Sequence, residues 1–312
     1  MTATTPQATP PETAQAPAAS RPPGRRRQLA PYAFIAPFYV LYGLFMIVPI
    51  LVGVYLSLTE WVGLGTPEYV GLRNFSHLAQ DTSFHKALSN SLIFVLVSVF
   101  LVVPAALLIA QALNVRGLRA RDLFRVTFFV PMVLSPIVIS LVYSLLLDRE
   151  YGVVNSVLRA LFGTGNVDWL GDPTMAKVSV SFVLMWRWVG YLTIFFLAAL
   201  QAVPRELYES ADIDGAGMWR KFTTVTLPSI QPVTAFVVVT SFIGSAQLFD
   251  EPYLVTGGGP GEETLTVAMF VYRAAFERQQ FGYAAAAGLV LFVIVFGISQ
   301  VLNRLLSIGR IS

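Results

Sequence analysis

The stretch "ELYESADIDGAGMWRKFTTVTLP", Glu206–Pro228, interrupts a chain that otherwise consists of long apolar runs. It holds four carboxylates and two basic side chains, although only 12% of the whole chain is charged. Pro204, just before it, suits the first turn of a helix, where a missing N–H is tolerated. Glu206, Glu209 and Asp212 recur every three residues. The spacing predicts a short helix with an acidic stripe.

A second short helix is predicted after a turn at Gly215. Met218, Trp219, Phe222 and Val225 form its apolar stripe, and the final Leu-Pro of the quoted stretch is expected to end it. Two amphipathic helices that are tied to apolar runs at both ends indicate a docking element for a partner. A hairpin that merely lies along lipid headgroups is an equally good interpretation of these residues alone.

Composition places the chain in a membrane. The 312 residues are 55% hydrophobic, with a mean hydropathy of +0.65, whereas soluble domains reach about 45–50% even with glycine included. The absence of cysteine excludes disulfides, thiolate metal sites and a cysteine nucleophile. Two histidines are too few for a histidine-rich metal centre.

A helix needs about 20 apolar residues to cross a bilayer, and six runs of the chain reach this length. The sequence therefore predicts an all-α membrane protein whose transmembrane domain covers residues 28–312 and whose cytoplasmic loop covers residues 204–228. The predicted spans are residues 31–58, 88–113, 126–147, 178–203, 229–249 and 281–303.

Residues 1–27 are predicted to be a disordered, basic cytoplasmic segment, because they contain almost no large apolar side chain. The apolar run that follows exceeds the 7–15 residues of a signal-peptide core, so an uncleaved anchor is expected. Thirteen lysines and arginines lie on the side of the termini and of the quoted stretch, and seven lie on the other side. This asymmetry predicts that both termini are cytoplasmic.

One charge lies inside a predicted span. Arg187 follows Lys177 by ten residues, which places it about 15 Å deep. At that depth an arginine either faces a solute pathway or is bonded within the protein, and the residues leave both possibilities open. Trp188 and Tyr191 are close in helical spacing, as an aromatic shelf for a sugar requires, although such stripes more often serve packing.

The fifth run offers a second set of candidate side chains. Ser241 and Ser245 share one helical face, with Leu248 one turn further on. Serine pairs in membrane helices are commonly close-packing surfaces. Gln247 and Asp250 are expected nearer the outer end of this run.

Several motifs resemble those of a known family. "YESADIDGAGMWRKFTTVTLP" resembles the EAA loop of importer-type ABC permeases, with a serine at position 210 where the family usually has alanine. "AALQAVPRELYESADIDGA", "LVTGGGPGEET" and "AFERQQFGYAAAAG" follow in the order found in carbohydrate permeases of the maltose and glycerol-3-phosphate importer class. The resemblance runs from about Tyr32 to the C-terminus. The chain looks like the shorter, six-span permeases, since it lacks the extra spans and outward domain of the maltose permease.

The resemblance implies two sets of functional residues. The first set would couple the permease to an ATPase through the loop: Glu209, Ala211, Asp214, Gly215, Leu227 and Pro228. The second set would line the substrate pathway: Arg187, Trp188, Tyr191, Ser241, Ser245 and Leu248.

The resemblance also implies a multi-pass protein of the bacterial cytoplasmic membrane. It would work with a second homologous permease, a dimer of ATP-binding cassette subunits and an extracytoplasmic sugar-binding protein. ATP and magnesium would bind to the partner ATPase, and this chain would hold no cofactor, catalytic residue or metal and bind no nucleic acid. The glycine-rich "TGGGPG" lacks the lysine of a phosphate-binding loop.

Three functions remain distinguishable. The main hypothesis is import of a sugar, a di- or oligosaccharide, and the alternative within transport is glycerol-3-phosphate or another small solute. A phosphate ligand would favour an Arg/Lys cluster along the pathway, yet only Arg187 lies at membrane depth. An intramembrane enzyme would need paired carboxylates or a metal set, which the six runs lack. A scaffold that only recruits a partner would give no ATP-dependent uptake.

Overall fold

In the computed structural model, which describes residues 25–115 and 121–307, most of the chain is helical. The helices are α1 Arg25–Tyr42, α2 Val48–Ser57, α3 Arg73–Leu78, α4 Thr82–Val97, α5 Val103–Leu113, α6 Arg121–Val133, α7 Pro136–Leu146, α8 Val153–Phe162, α9 Pro173–Ala202, α10 Arg205–Ile213, α11 Met218–Lys221, α12 Leu227–Ser229, α13 Gln231–Ala246, α14 Asp250–Thr256, α15 Val267–Tyr272 and α16 Phe281–Ser307.

Within the described residues, the π-helical turns Gly43–Ile47, Ser98–Val102 and Phe222–Thr226 join consecutive helices without a break. The π-helical turn Arg273–Glu277 extends α15 and ends before α16. The two short strands, Thr59–Glu60 and Glu68–Tyr69, pair antiparallel. Because almost all of the described secondary structure is helical, the predicted all-α class is confirmed.

The described residues divide into two units between Leu51 and Val52. Of the predicted disordered segment, residues 1–24 lie outside the described residues. Its last three residues, Arg25–Arg27, are the first residues of α1. The first apolar run is helical, and Pro31–Ser57 is long and apolar enough to cross a membrane.

Four described helices are long and apolar enough to span a bilayer, and two bent pairs bring the number to six if each pair is one span. One bent pair is α6 and α7, which meet at 105°. A single span was predicted there, at residues 126–147. The bend has a local cause, because Ser135 is extended, as a residue before proline tends to be, and Pro136 starts the next helix.

The other bent pair joins the helix Met218–Ser229 to α13 at 73°. Pro232 lies in the first turn of α13, where it lacks the N–H that would continue a helix from the preceding residues. The break falls at Ile230 rather than at the predicted Leu-Pro. Leu227 and Pro228 therefore lie inside the last helical turn before the bend.

The main core lies where α5, α9 and α13 meet. Ala106 and Ala110 of α5 are fully buried against Leu192 and Phe196 of α9, together with Val237 of α13. Small side chains let helix backbones approach closely, which favours association where lipid removes the hydrophobic driving force. This core fixes the two helices that flank the polar interruption.

Gly190 marks the closest approach between α6 and α9. A Cβ atom at this position would lie 1.6 Å from the backbone oxygen of Phe128. Because a backbone carbonyl in a helix has little room to move, any larger residue must push the two helices apart.

We therefore expect Gly190→Ala to destabilise the protein by about 1–3 kcal/mol, the usual penalty of overpacking. Thermal unfolding of the purified protein in lipid nanodiscs measures this loss. Gly244→Ala on α13 is the matched control, because a Cβ there meets nothing within 4 Å. Equal melting temperatures for the two variants would contradict the close contact.

Candidate functional site

The polar interruption forms a hairpin of two helical arms. The first arm is α10, which follows Pro204 as predicted. The second arm runs from Met218 to Ser229 through the π-helical turn. Between them Gly215 adopts a left-handed backbone with φ +69°, a conformation in which a Cβ is disfavoured. The hairpin connects α9 to α13, and both of these helices belong to the main core.

Contacts between the arms give the hairpin a defined shape. The hydroxyls of Tyr208 and Thr226 lie 3.0 Å apart, and Lys221 forms an ion pair with Asp212. The Ala216 N–H donates to the backbone oxygen of Ala211 at 2.9 Å, and Ala216 is buried. These contacts hold the two arms together as one unit.

The candidate coupling residues lie along this hairpin, on both arms and the turn. Glu209 is exposed on α10 beside a cavity of about 840 Å³, which Arg205 and Asp212 also line. Ala211 is half-buried behind the turn, and Asp214 ends α10 at the surface. Leu227 and Pro228 lie on the second arm, and both are exposed.

An apolar surface is open at the tip of the hairpin. Ile213, Met218 and Trp219 are 87%, 88% and 76% exposed. Phe222 stacks on Trp219 with ring centroids 5.7 Å apart and is half-buried, as is Val225, so only the first half of the predicted stripe is open. Exposed apolar clusters of this kind mark interaction sites. The residues thus present an apolar tip flanked by carboxylates.

A second cluster lies halfway along α9, around Arg187. Its Nη1 atom lies 2.9 Å from Oε1 of Glu251 and 3.6 Å from Oδ2 of Asp250. The same Glu251 oxygen accepts a hydrogen bond from Nε1 of Trp188 at 3.3 Å, and the Arg187 guanidinium lies 5.9 Å from the Trp188 ring centre. Glu251 thus orients two of the candidate pathway residues.

Glu251 was not among the residues singled out from the sequence, and Asp250 was placed near the outer end of the fifth span. The structure ends α13 at Ala246 and turns the chain so that α14 packs against α7 and α9. One signal was available, because a lone buried arginine requires a counter-charge. The Asp-Glu pair at positions 250 and 251, directly after the fifth span, was one of the acidic candidates.

The remaining candidate pathway residues are largely buried. Ser245 donates to the backbone oxygen of Ser241 at 2.6 Å, and both serines are buried on α13. Leu248 packs in a cluster that includes Trp188. Tyr191 is half-buried and meets Trp188 edge to face, with centroids 6.0 Å apart. Within the described chain, the Ser241 hydroxyl has no hydrogen-bond partner.

The structure thus brings Arg187, Trp188, Tyr191 and Leu248 together. A separate groove of about 960 Å³ lies between α13 and α16, and none of the six candidate pathway residues lines it. Among the described residues, no group of three or more His, Asp or Glu side chains is arranged to hold a metal ion.

The glycine-rich loop after α14 is anchored by charge. Glu263 forms ion pairs with Lys177 and with Lys86, whose Nζ lies 2.9 Å from Oε1. Hydrogen bonds from these two lysines hold the pKa of Glu263 below its usual range. Asn90 also donates to the backbone oxygens of Glu262 and Leu265. These contacts tie the loop to the starts of α4 and α9.

Residues 102–307 match the family of binding-protein-dependent transport system inner membrane components. This region contains the core helices, the hairpin and the Arg187 cluster. The chain belongs to this family. It is a multi-pass protein of the cytoplasmic membrane and a permease subunit of an ABC importer.

Two relatives match over nearly their whole length. The chain is 34% identical over 290 residues to the probable ABC transporter permease protein YurN of Bacillus subtilis, covering 91% of this chain and 98% of the relative. It is 39% identical over 268 residues to the lactose transport system permease protein LacF of Rhizobium radiobacter, covering 85% and 89%.

A solved structure shares the fold. It is the bacterial alginate ABC transporter in complex with an alginate pentasaccharide-bound periplasmic protein. One of its chains superposes with a TM-score of 0.79 at 25% identity, covering 89% of this chain and 94% of that chain. The expected importer-type permease bundle is confirmed by this likeness and by the family match.

Because Gly215 needs a left-handed backbone, Gly215→Ala should strain the turn by about 1–2 kcal/mol. No atom lies within 4 Å of a Cβ there, so the effect is one of backbone conformation alone. We expect faster amide hydrogen exchange at Ala216, whose N–H closes the turn. Gly217→Ala is the control, since its φ of −66° suits alanine. Unchanged exchange in Gly215→Ala would show that the turn is not held as described.

Proposed function

We propose that this permease imports a sugar, a di- or oligosaccharide, by alternating access that a separate ATPase drives through the hairpin. The observation that carries the coupling role is the position of the hairpin between α9 and α13. A partner that moves the hairpin moves two core helices at once. The motif residues that the family resemblance assigns to coupling lie on this one element.

The sugar is supported by the relatives. LacF is named for lactose, and the structural relative is named for alginate. The cluster around Trp188 offers aromatic faces and hydrogen-bonding groups side by side, which is what a saccharide requires. We propose Arg187, Trp188, Tyr191, Ser241, Ser245 and Leu248 as the pathway residues. The buried ones, Ser241, Ser245 and Leu248, would be uncovered when the helices move.

Glycerol-3-phosphate is the weaker candidate. A phosphate group favours a free Arg or Lys at the site. Arg187 is instead bonded to Glu251, so its charge is already compensated within the chain. This contact favours a neutral solute.

The assembly we propose has two different permeases, two ATPase subunits and an extracytoplasmic sugar-binding protein. The ATPase subunits would bind ATP and magnesium and receive the coupling residues Glu209, Ala211, Asp214, Gly215, Leu227 and Pro228 in a groove. The exposed apolar tip with Trp219 and Met218 would be buried there. Both chain termini would lie on this cytoplasmic side.

The coupling role is tested by the ATPase activity of the assembled complex in lipid, with sugar-loaded binding protein. We expect Glu209→Ala to lose most of the sugar-stimulated activity, by about tenfold or more, because a charged contact at the docking surface is removed. Glu206→Ala is the matched control, since it removes an exposed carboxylate from the same helix but outside the motif.

Two results would contradict the proposal. One is a normal response of Glu209→Ala in a complex that stays assembled. The other is ATP-dependent sugar uptake that persists in cells lacking this chain, as a scaffold role without transport would allow.

A further inference from the structure

The Arg187 cluster carries an excess of negative charge. One guanidinium faces two carboxylates, those of Asp250 and Glu251, so the cluster has a net charge of −1 when all three are ionised. The side chains of Arg187 and Glu251 are 12% and 4% exposed, whereas that of Asp250 is 47% exposed. The Arg187–Glu251 ion pair is therefore buried, whereas the carboxylate of Asp250, which adds the excess negative charge, lies at the surface of the chain.

The cluster lies within the membrane, in the outer half of a hydrocarbon core that is about 30 Å thick. Arg187 is fifteen residues before the cytoplasmic end of α9 at Ala202, or about 22 Å along the helix. Helix α13 starts on the same side and has 16 residues, so its far end lies about 24 Å along the helix from its start. Arg187 and the start of α14 are therefore at similar depths, which agrees with the direct contact between Arg187 and Glu251.

An ionised carboxylate cannot face hydrocarbon at that depth without a large penalty. Asp250 is half exposed, so its open side must meet water or a partner chain. The aromatic pair of Trp188 and Tyr191, both half-buried, lies on the same helix within one turn of Arg187. Trp188 and Tyr191 are candidate pathway residues, so the open side of Asp250 would lie beside the proposed solute pathway.

We propose that Asp250 and Glu251 act as a charge filter that admits neutral sugars and rejects anionic ones. This inference rests on the proposed sugar import. Glu251 compensates Arg187 and so prevents it from binding a carboxylate or phosphate. Asp250 adds an uncompensated negative charge that repels such groups. The names of the relatives make the distinction relevant, because lactose is neutral and alginate is a polyuronate.

The test uses two disaccharide probes of the same size, lactitol and lactobionate. In both probes the sugar unit at the former reducing end is an open chain rather than a ring, and only lactobionate carries a carboxylate. Equilibrium binding is measured on the whole importer in lipid nanodiscs without binding protein, so that the selectivity of the binding protein does not enter. The measured quantity is the ratio of lactobionate affinity to lactitol affinity.

The filter predicts that this ratio follows the net charge of the cluster. Asp250→Asn and Glu251→Gln each raise the charge to zero and should raise the ratio about tenfold, the change that roughly 1.4 kcal/mol produces. Arg187→Gln lowers the charge to −2 and should lower the ratio by a similar factor. Asp250 is half exposed, so its variant gives a result even if the buried ones fail to fold.

Glu68→Gln is the control. It removes an exposed carboxylate from the second short strand, outside the cluster, so its ratio should equal that of the wild type. Ratios that do not change in Asp250→Asn, with lactitol binding intact, would overturn the filter while leaving sugar import standing. Failure of the wild type to bind either probe would contradict the proposed import of a disaccharide and, with it, the filter that rests on it.

Discussion

A bilayer offers no hydrogen-bonding partners, and this constraint determines most of the structure. Backbone groups must be satisfied within helices, and a charge at membrane depth must be paired within the protein or face water or a partner chain. The chain follows the first requirement with long helices, and the two bent pairs among the described residues break where Ser135 precedes Pro136 and just before Pro232 in the first turn of α13. It follows the second with the contact between Arg187 and Glu251.

Helix α9 connects the two candidate sites. Its C-terminal end passes into the hairpin, and Arg187 lies in its middle, bonded to the segment that follows α13. A displacement of the hairpin therefore acts on both partners of the buried ion pair, one through α9 and the other through α13. We expect the ion pair and its aromatic neighbours to shift when the ATPase moves the hairpin. In this account, the polar interruption in the sequence and the lone buried arginine belong to one mechanism.

Much of the fold and of the hairpin could be predicted from the sequence, because both depend on local patterns. Apolar length predicts membrane helices, and the acidic stripe with Gly215 predicts the hairpin. The 105° bend between α6 and α7 was missed, although Pro136 was visible, because a proline in a membrane helix is often accommodated without a break. The Arg187–Glu251 contact was missed because it depends on how α14 folds back after α13, which no local pattern reveals.

The central claim is that an ATPase subunit docks on the hairpin tip. The chain has no cysteine, so a single cysteine introduced at the exposed position of Ile213 can carry a photo-crosslinking label in the whole importer. A cysteine at Leu64, which is 84% exposed in the loop between the two short strands, is the control on the predicted opposite side. The account predicts that the label at position 213 crosslinks to the ATPase subunit, with a yield that changes on ATP binding, and that the label at position 64 does not. Labels at position 213 that react only with lipid in an active complex would contradict it.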